Sequence, residues 1–218
     1  MEDVLYNNND RFTTTWDEYT LMGIGCREAL LAPMLAVVGN RRCTPYALRC
    51  VEALVPAAVS AGYTILTGGS LGVATQAVEV ALGCGGVCVC LLGGGLNHPY
   101  PQSNQELFEI VTKSDGCILS MQVWEELPRP HMFRARNFLM ARMAHVMLAV
   151  EAGMPSGTLA QCEEALKLKK TVFAVPGEIF STCSLGTNYL LGCGAKAASS
   201  PGQFAEALEA ERIPWSYK

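Results

Sequence analysis

The chain has 218 residues, half of them apolar and 17% charged, with a formal net charge of −4. That length holds one α/β domain with a full core, and that composition excludes a disordered chain. No run approaches the roughly 18 uninterrupted apolar residues of a membrane span. The opening Met1-Glu2-Asp3, followed by Asn7-Asn8-Asn9-Asp10, lacks the basic start and apolar run of a secretory leader, so a soluble, cytoplasmic protein without membrane contact is expected.

Residues 1–32 show no clear period and read as an N-terminal extension, partly helical, with a helix around Trp16 to Leu31. From residue 33 to residue 218 the pattern is that of one domain. Short runs rich in Val, Ile and Leu recur: Met34–Val38, Tyr63–Leu66, Val87–Leu92, Gly116–Leu119, Val146–Val150 and Val172–Val175. Such runs suit strands buried on both faces. Helical segments alternate with them. Thr44-Pro45 supplies an N-cap and a first-turn proline, and Gly62 supplies a stop. Pro56 inside that segment predicts a kink or an early end. Further helices are expected over Gly72 to Leu82, Gln102 to Thr112, Phe133 to Met143 and Thr158 to Leu168. Strand then helix, repeated, gives an α/β fold: a Rossmann-like, mostly parallel sheet with helices on both faces.

Ten cysteines invite a disulfide or metal reading. There is no CxxC, and His98, His131 and His145 stand apart from any cysteine pair. Cys88 and Cys90 alternate with valines, as small buried hydrophobes do in a strand. Buried structural cysteine is therefore expected, with no metal and no cofactor.

In a parallel sheet, ligands bind at the edge formed by the strands' C-terminal ends. The loops there are Gly39-Asn40-Arg41-Arg42, Thr67 to Gly72, Gly93 to His98, Glu151 to Thr158 and Pro176-Gly177-Glu178. Glycine lets backbone N–H groups approach an anion, and the following helix adds a positive end. A single such loop is weak evidence, because tight turns need glycine anyway. Several at one edge, beside Arg41, point to phosphate. There is no GxxxxGK[ST] and no complete GxGxxG. The negative net charge alone argues against nucleic acid, but its distribution counts for more. Leu127 to Val150 contains no acidic residue and carries Arg129, Arg134, Arg136 and Arg142. Within it, Phe133-Arg134-Ala135-Arg136-Asn137 is a candidate phosphate-binding helix start. The competing explanation is a solvated face paired to Glu125 and Glu126. Evidence for catalysis is poor: Ser156 is not on a nucleophile elbow, and Glu163 and Glu164 are neighbours on a helix and face apart. Ser156, Thr158 and Thr187 are expected to be helix caps.

Several of these segments, in order, resemble the DprA/Smf family (DNA-processing protein A). They are Ala36 to Arg41, Leu92 to Leu96 with Tyr100-Pro101 and Asn104, Phe133 to Asn137, Val150-Glu151-Ala152, Ser156-Gly157-Thr158, Phe173 to Gly177, and Gly186-Thr187-Asn188 with Leu191 and Gly194-Ala195. The resemblance implies a single-stranded DNA-binding domain, without established catalytic activity, that is homodimeric and acts in natural transformation with a RecA-type recombinase. Carried over residue by residue, it implies phosphate contacts from Arg41 and Arg136. Backbone N–H groups of Gly39, Gly68, Gly69, Ser156 and Gly157 would assist. Arg134, Asn137 and Thr158 complete the candidate set, and Phe133, Phe138 or Tyr100 would stack on bases.

The chain departs from the family pattern where Leu71 replaces an arginine, Ala74 an aspartate, Val78 a histidine and Phe138 an arginine. It ends near the sheet, so the winged-helix domain of longer members is expected to be absent. A second resemblance leads elsewhere. Met154 to Glu163 half matches the PGGxGTxxE motif of nucleoside-monophosphate phosphoribohydrolases (the LOG, or lysine-decarboxylase-like, group), with the glutamate two residues late. A nucleotide-binding or hydrolase function is the alternative.

Overall fold

The structure, a computed structural model, describes residues 10–211. Nine strands form one sheet: β1 (Arg11–Trp16), β2 (Tyr19–Gly25), β3 (Met34–Val38), β4 (Thr64–Thr67), β5 (Cys88–Leu92), β6 (Cys117–Ser120), β7 (Val146–Ala149), β8 (Thr171–Ala174) and β9 (Lys196–Ala197). Seven helices connect or flank them: α1 (Pro45–Ser60), α2 (Val73–Gly83), α3 (Gln105–Lys113), α4 (Pro130–Met143), α5 (Gly157–Lys167), α6 (Leu185–Gly192) and α7 (Pro201–Ala210). The spatial order is β1-β2-β6-β5-β4-β3-β7-β8-β9. From β6 to β9 the sheet is parallel, while β1 and β2 add an antiparallel edge. The six strands expected from the sequence all form, each within one residue of its expected bounds.

Alternation within a strand divides the core in two. On β3, Leu35 and Val37 face one layer with Ala47, Val51 and Leu54 of α1, Val73 and Ala77 of α2, Phe108 of α3 and Phe204 of α7. Met34, Ala36 and Val38 face the other, with Leu139 and Met140 of α4, Leu159 of α5 and Leu190 of α6. Both layers are buried, so β3 carries apolar side chains throughout.

Three expectations need correction. The helix expected around Trp16 to Leu31 is instead the strand β2, followed by a single 3-10 turn at Arg27–Leu30. Asp17, with φ 49°, turns the chain between β1 and β2, and Ile24 pairs with Ile118 of β6. Asp is among the few residues that tolerate that conformation, and the threonines flanking the turn favour strand. Of the two outcomes expected at Pro56, the early end does not occur, since α1 runs on to Ser60. The carbonyl it leaves unpaired belongs to the exposed Glu52, where water can serve it. All ten cysteines are free, but only Cys88, Cys90, Cys117 and Cys162 are buried, and Cys84 and Cys193 are exposed. Among the described residues, no helix is long and apolar enough to cross a membrane and no cluster of side chains could hold a metal.

One half-buried group, His145, ties β3 to the end of α4. The Met34 N–H donates to Nδ1 of His145 at 2.9 Å, and the His145 N–H donates to the Met34 carbonyl at 2.9 Å. Burial and the nearby Lys170 ammonium push the imidazole down to about 4. Between that value and the ordinary one near 6.5, the unfolded chain binds a proton that the folded chain refuses. The resulting stability is therefore full above about pH 6.5 and is lost as pH falls towards 4. Urea unfolding from pH 7 to pH 4 is expected to show this decline, and His145→Gln is expected to flatten it.

Candidate nucleic-acid interface

The strand order reverses at β3. The chain lays β4, β5 and β6 to one side and then returns to place β7 on the other. Loops leaving the C-terminal ends of β3 and β7 diverge over this point, which is where open α/β sheets form their ligand crevice. A cavity of about 300 Å³ opens there. It is lined by Gly39, Asn40 and Arg41 after β3, by Gly68 and Ser70 after β4, by Arg136 and Asn137 of α4, and by Ser156, Gly157, Thr158 and Gln161 after β7.

Local chemistry fixes each wall. Ser156 caps α5, its Oγ accepting the Leu159 N–H at 3.1 Å, so the helix presents its positive end to the cavity. The Arg41 loop is anchored from below by Glu151, only 4% exposed. Its carboxylate accepts from Asn40 Nδ2 at 3.0 Å, from Thr44 Oγ1 at 2.6 Å and from the Thr44 N–H at 3.3 Å. Gly72, with φ 76°, brings the start of α2 against the same loop. A Cβ there would overlap the Asn40 and Arg41 carbonyls.

Arg136 is the group the cavity is built around. Only 4% exposed, it donates from Nη1 to the Leu91 carbonyl at 3.0 Å, and its Nε has no partner. Gly68 makes room for it, since a Cβ at that position would overlap the guanidinium. Phe133 stands between the two arginines, with the guanidinium carbons of Arg41 and Arg136 at 5.6 and 5.9 Å from its ring centroid. Among the described residues no carboxylate pairs with Arg136, and no Asp or Glu lines the cavity. Burial, and then the neighbouring Arg41 charge, lower the Arg136 pKa to about 10. A buried cation without a counter-ion is costly unless an anion from outside completes it.

The expected residues divide by position. Gly39, Arg41, Gly68, Arg136, Asn137, Ser156, Gly157 and Thr158 meet at this cavity. Phe133 borders a smaller apolar cleft beside it, with Leu71, Tyr100 and Pro101. Gly69 turns the other way, towards Leu92 and Phe108, and its carbonyl accepts from Asn104. Arg134 is exposed and lines neither space, because successive helical residues are rotated by about 100° and two residues apart cannot share a face. Neither arginine pairs with Glu125 or Glu126, which instead meet His98 and Arg129. Of the expected caps, Ser156 serves its helix. Thr158 lies in the first turn of α5, and Thr187 sits inside α6 with its hydroxyl donating to the Ser184 carbonyl. Ala74 lines the cavity, Val78 is buried in the core and Phe138 is partly exposed. The anchoring role of Glu151 and the presence of Gln161 in the wall were not apparent from sequence.

A Rossmann-like protein with an arginine-lined cavity at its topological switch point is the class these features define. Residues 12–209 match the family model for DNA recombination-mediator protein A, and the chain belongs to that family. It is 34% identical to the DNA processing protein DprA of Streptococcus pneumoniae over 81% of this chain and 62% of that protein. It is 31% identical to the Protein Smf of Escherichia coli over 83% of this chain and 48% of that one. The chain thus spans less than two thirds of the length of these relatives. The X-ray structure of the Streptococcus pneumoniae DprA superposes with a TM-score of 0.83 at 31% identity, covering 94% of this chain and 71% of that one. A structure of DNA processing protein A from Helicobacter pylori, described for its single-stranded DNA binding mode, superposes at 0.81 with 28% identity, covering 89% and 88%. A molybdenum cofactor binding protein from Rippkaea orientalis shares the fold alone, at 22% identity and a TM-score of 0.59 over 82% of this chain and 96% of that one.

Two variants test this geometry. Arg136→Met, in chloride buffer, is expected to melt at an unchanged or higher temperature, by up to about 1 kcal/mol or about 3 °C. Inorganic phosphate is expected to raise the melting temperature of the unaltered chain and not that of the variant. Glu151→Ala leaves the Thr44 N–H and the Asn40 amide without their acceptor, and denaturant unfolding is expected to show a loss of about 1–3 kcal/mol.

Proposed function

We infer that this chain binds single-stranded DNA through its phosphate backbone at the C-terminal edge of the sheet. The observation that carries the reading is Arg136, a buried cation with no acidic partner among the described residues, lining a cavity closed by the N-terminus of α5. A strand phosphate supplies the missing charge. Arg41 and Arg136 bind it as cations, and the backbone N–H groups of Gly39, Gly68, Ser156 and Gly157 line its approach. The Helicobacter pylori relative, described as binding single-stranded DNA, supports the same ligand here. The proposed setting is the cytoplasm, in DNA processing, recombinase loading or natural transformation, with a homodimer as the working form and a RecA-type recombinase as partner.

The proposal contains no chemical step. A phosphoribohydrolase-like site would need the glutamate of its motif. Counted from Gly157-Thr158, that position holds Gln161, whose amide cannot exchange a proton as a carboxylate does, and Glu163 does not line the cavity.

Fluorescence anisotropy of a labelled strand of about 20 nucleotides, at two salt concentrations and with duplex as control, tests the reading. Salt-sensitive binding that favours the single strand is expected. Arg41→Ala or Arg136→Ala is expected to weaken it with little sequence dependence and to lower the salt slope by about 0.7. Unchanged binding by the double variant would exclude this site.

A further inference from the structure

We propose that Phe180 is a base-stacking platform, holding a nucleobase of the same strand whose phosphate occupies the Arg41/Arg136 cavity. This rests on the single-strand reading above and adds a second contact to it.

Phe180 is 86% exposed and its neighbour Ile179 is 71% exposed, the two most exposed large hydrophobic side chains among the described residues. They form the corner of a tight turn closed by the Ser181 N–H donating to the Glu178 carbonyl at 3.1 Å. Corners of such turns ordinarily carry Gly, Pro, Asn, Asp or Ser. Among the described residues nothing covers these two large apolar side chains, so the described fold gives no reason for them.

The turn is also held in place. Asn188 of α6 clasps its base, with Oδ1 accepting the Gly177 N–H at 3.1 Å and Nδ2 donating to the Gly177 carbonyl at 3.0 Å. The Gly186 N–H donates to the Ala152 carbonyl at 2.8 Å, which fixes the far end of the segment to the loop after β7. A ring displayed on a braced turn loses little freedom when it binds, which favours stacking.

Placement identifies the occupant. The turn follows β8, the strand next to β7, and the chain after it is tied to the loop after β7 where the Gly186 N–H meets the Ala152 carbonyl. On its other side, Tyr46 donates its hydroxyl to the Pro176 carbonyl at 2.8 Å. Tyr46 is itself exposed and lies in the first turn of α1, shortly after Arg41 and Arg42. The start of α1, which follows Arg41 and Arg42, is thus joined through Tyr46 to the base of the turn that carries Phe180, at the same C-terminal edge of the sheet. The turn carries Glu178 and no cation, so it has nothing to hold a phosphate with. An aromatic face beside a cationic site matches the paired requirement of single-strand binding, in which cations track the backbone and rings take the bases.

The test uses the full chain with a labelled oligo-dT and with an oligonucleotide of the same length whose sugars lack bases. Phe180→Ala is expected to weaken oligo-dT binding by about tenfold. The salt slope is expected to stay unchanged, because no phosphate contact is lost. Phe180→Trp is expected to restore affinity, and binding of the abasic strand is expected to be the same with and without Phe180. Full affinity of Phe180→Ala for oligo-dT overturns this inference alone, as does an equal loss on the abasic strand. A change in sedimentation of Phe180→Ala without DNA assigns the ring to a second copy of the chain and also overturns it. Failure of the unaltered chain to bind single strands overturns the inference together with the reading it rests on.

Discussion

A buried guanidinium without a counter-ion among the described residues organises the C-terminal edge of the sheet. Arg136 sits under the loops at a place where most folds would put an apolar side chain or an ion pair. Its enclosure constrains its neighbours. Gly68 must lack a Cβ to leave it space, the Leu91 carbonyl must turn to receive one of its N–H groups, and Phe133 must stand between it and Arg41. Burial disfavours the charged form, and Arg41 adds repulsion. Arginine nevertheless keeps its proton at neutral pH. In the proposed reading an anion relieves that cost, so the fold is least satisfied at the place assigned to binding.

The rest of the edge supports this arrangement from below. Glu151 shows how acidic and basic groups are kept apart at close range. Its carboxylate is fully engaged by Asn40 and Thr44 beneath the loop, where it fixes the backbone that carries Arg41 without facing the cavity. An acidic residue directed into the cavity would neutralise Arg136 and close the site to phosphate. The overall negative charge of the chain is thus compatible with an anion site, because the carboxylates lie elsewhere or are already bound.

The strands were legible because a doubly covered sheet demands unbroken apolar runs, and runs such as Met34–Val38 admit no other reading. The hairpin at Arg11–Trp16 and Tyr19–Gly25 was not legible. It covers only one edge, and its mixture of Thr, Tyr and Gly has neither a clean alternation nor a helical period. What fixes it is pairing with β6, a strand far along the chain. Pro56 marks a similar limit: a local breaker is tolerated where the orphaned carbonyl faces water and the helix is held by core contacts at Val51, Val55 and Ala58.

By itself the sequence determined the α/β class, the strand runs, the glycine loops and the identity of the cations, since these follow from local pattern and composition. Only the tertiary structure decided which of two arginines, Arg134 and Arg136, turns inward. It also showed that Glu151 serves as an anchor, and that Phe180 stands exposed on a braced turn after β8 rather than in the core. The physical reason is that burial and missing partners belong to the space between elements, and no single stretch of chain contains that space.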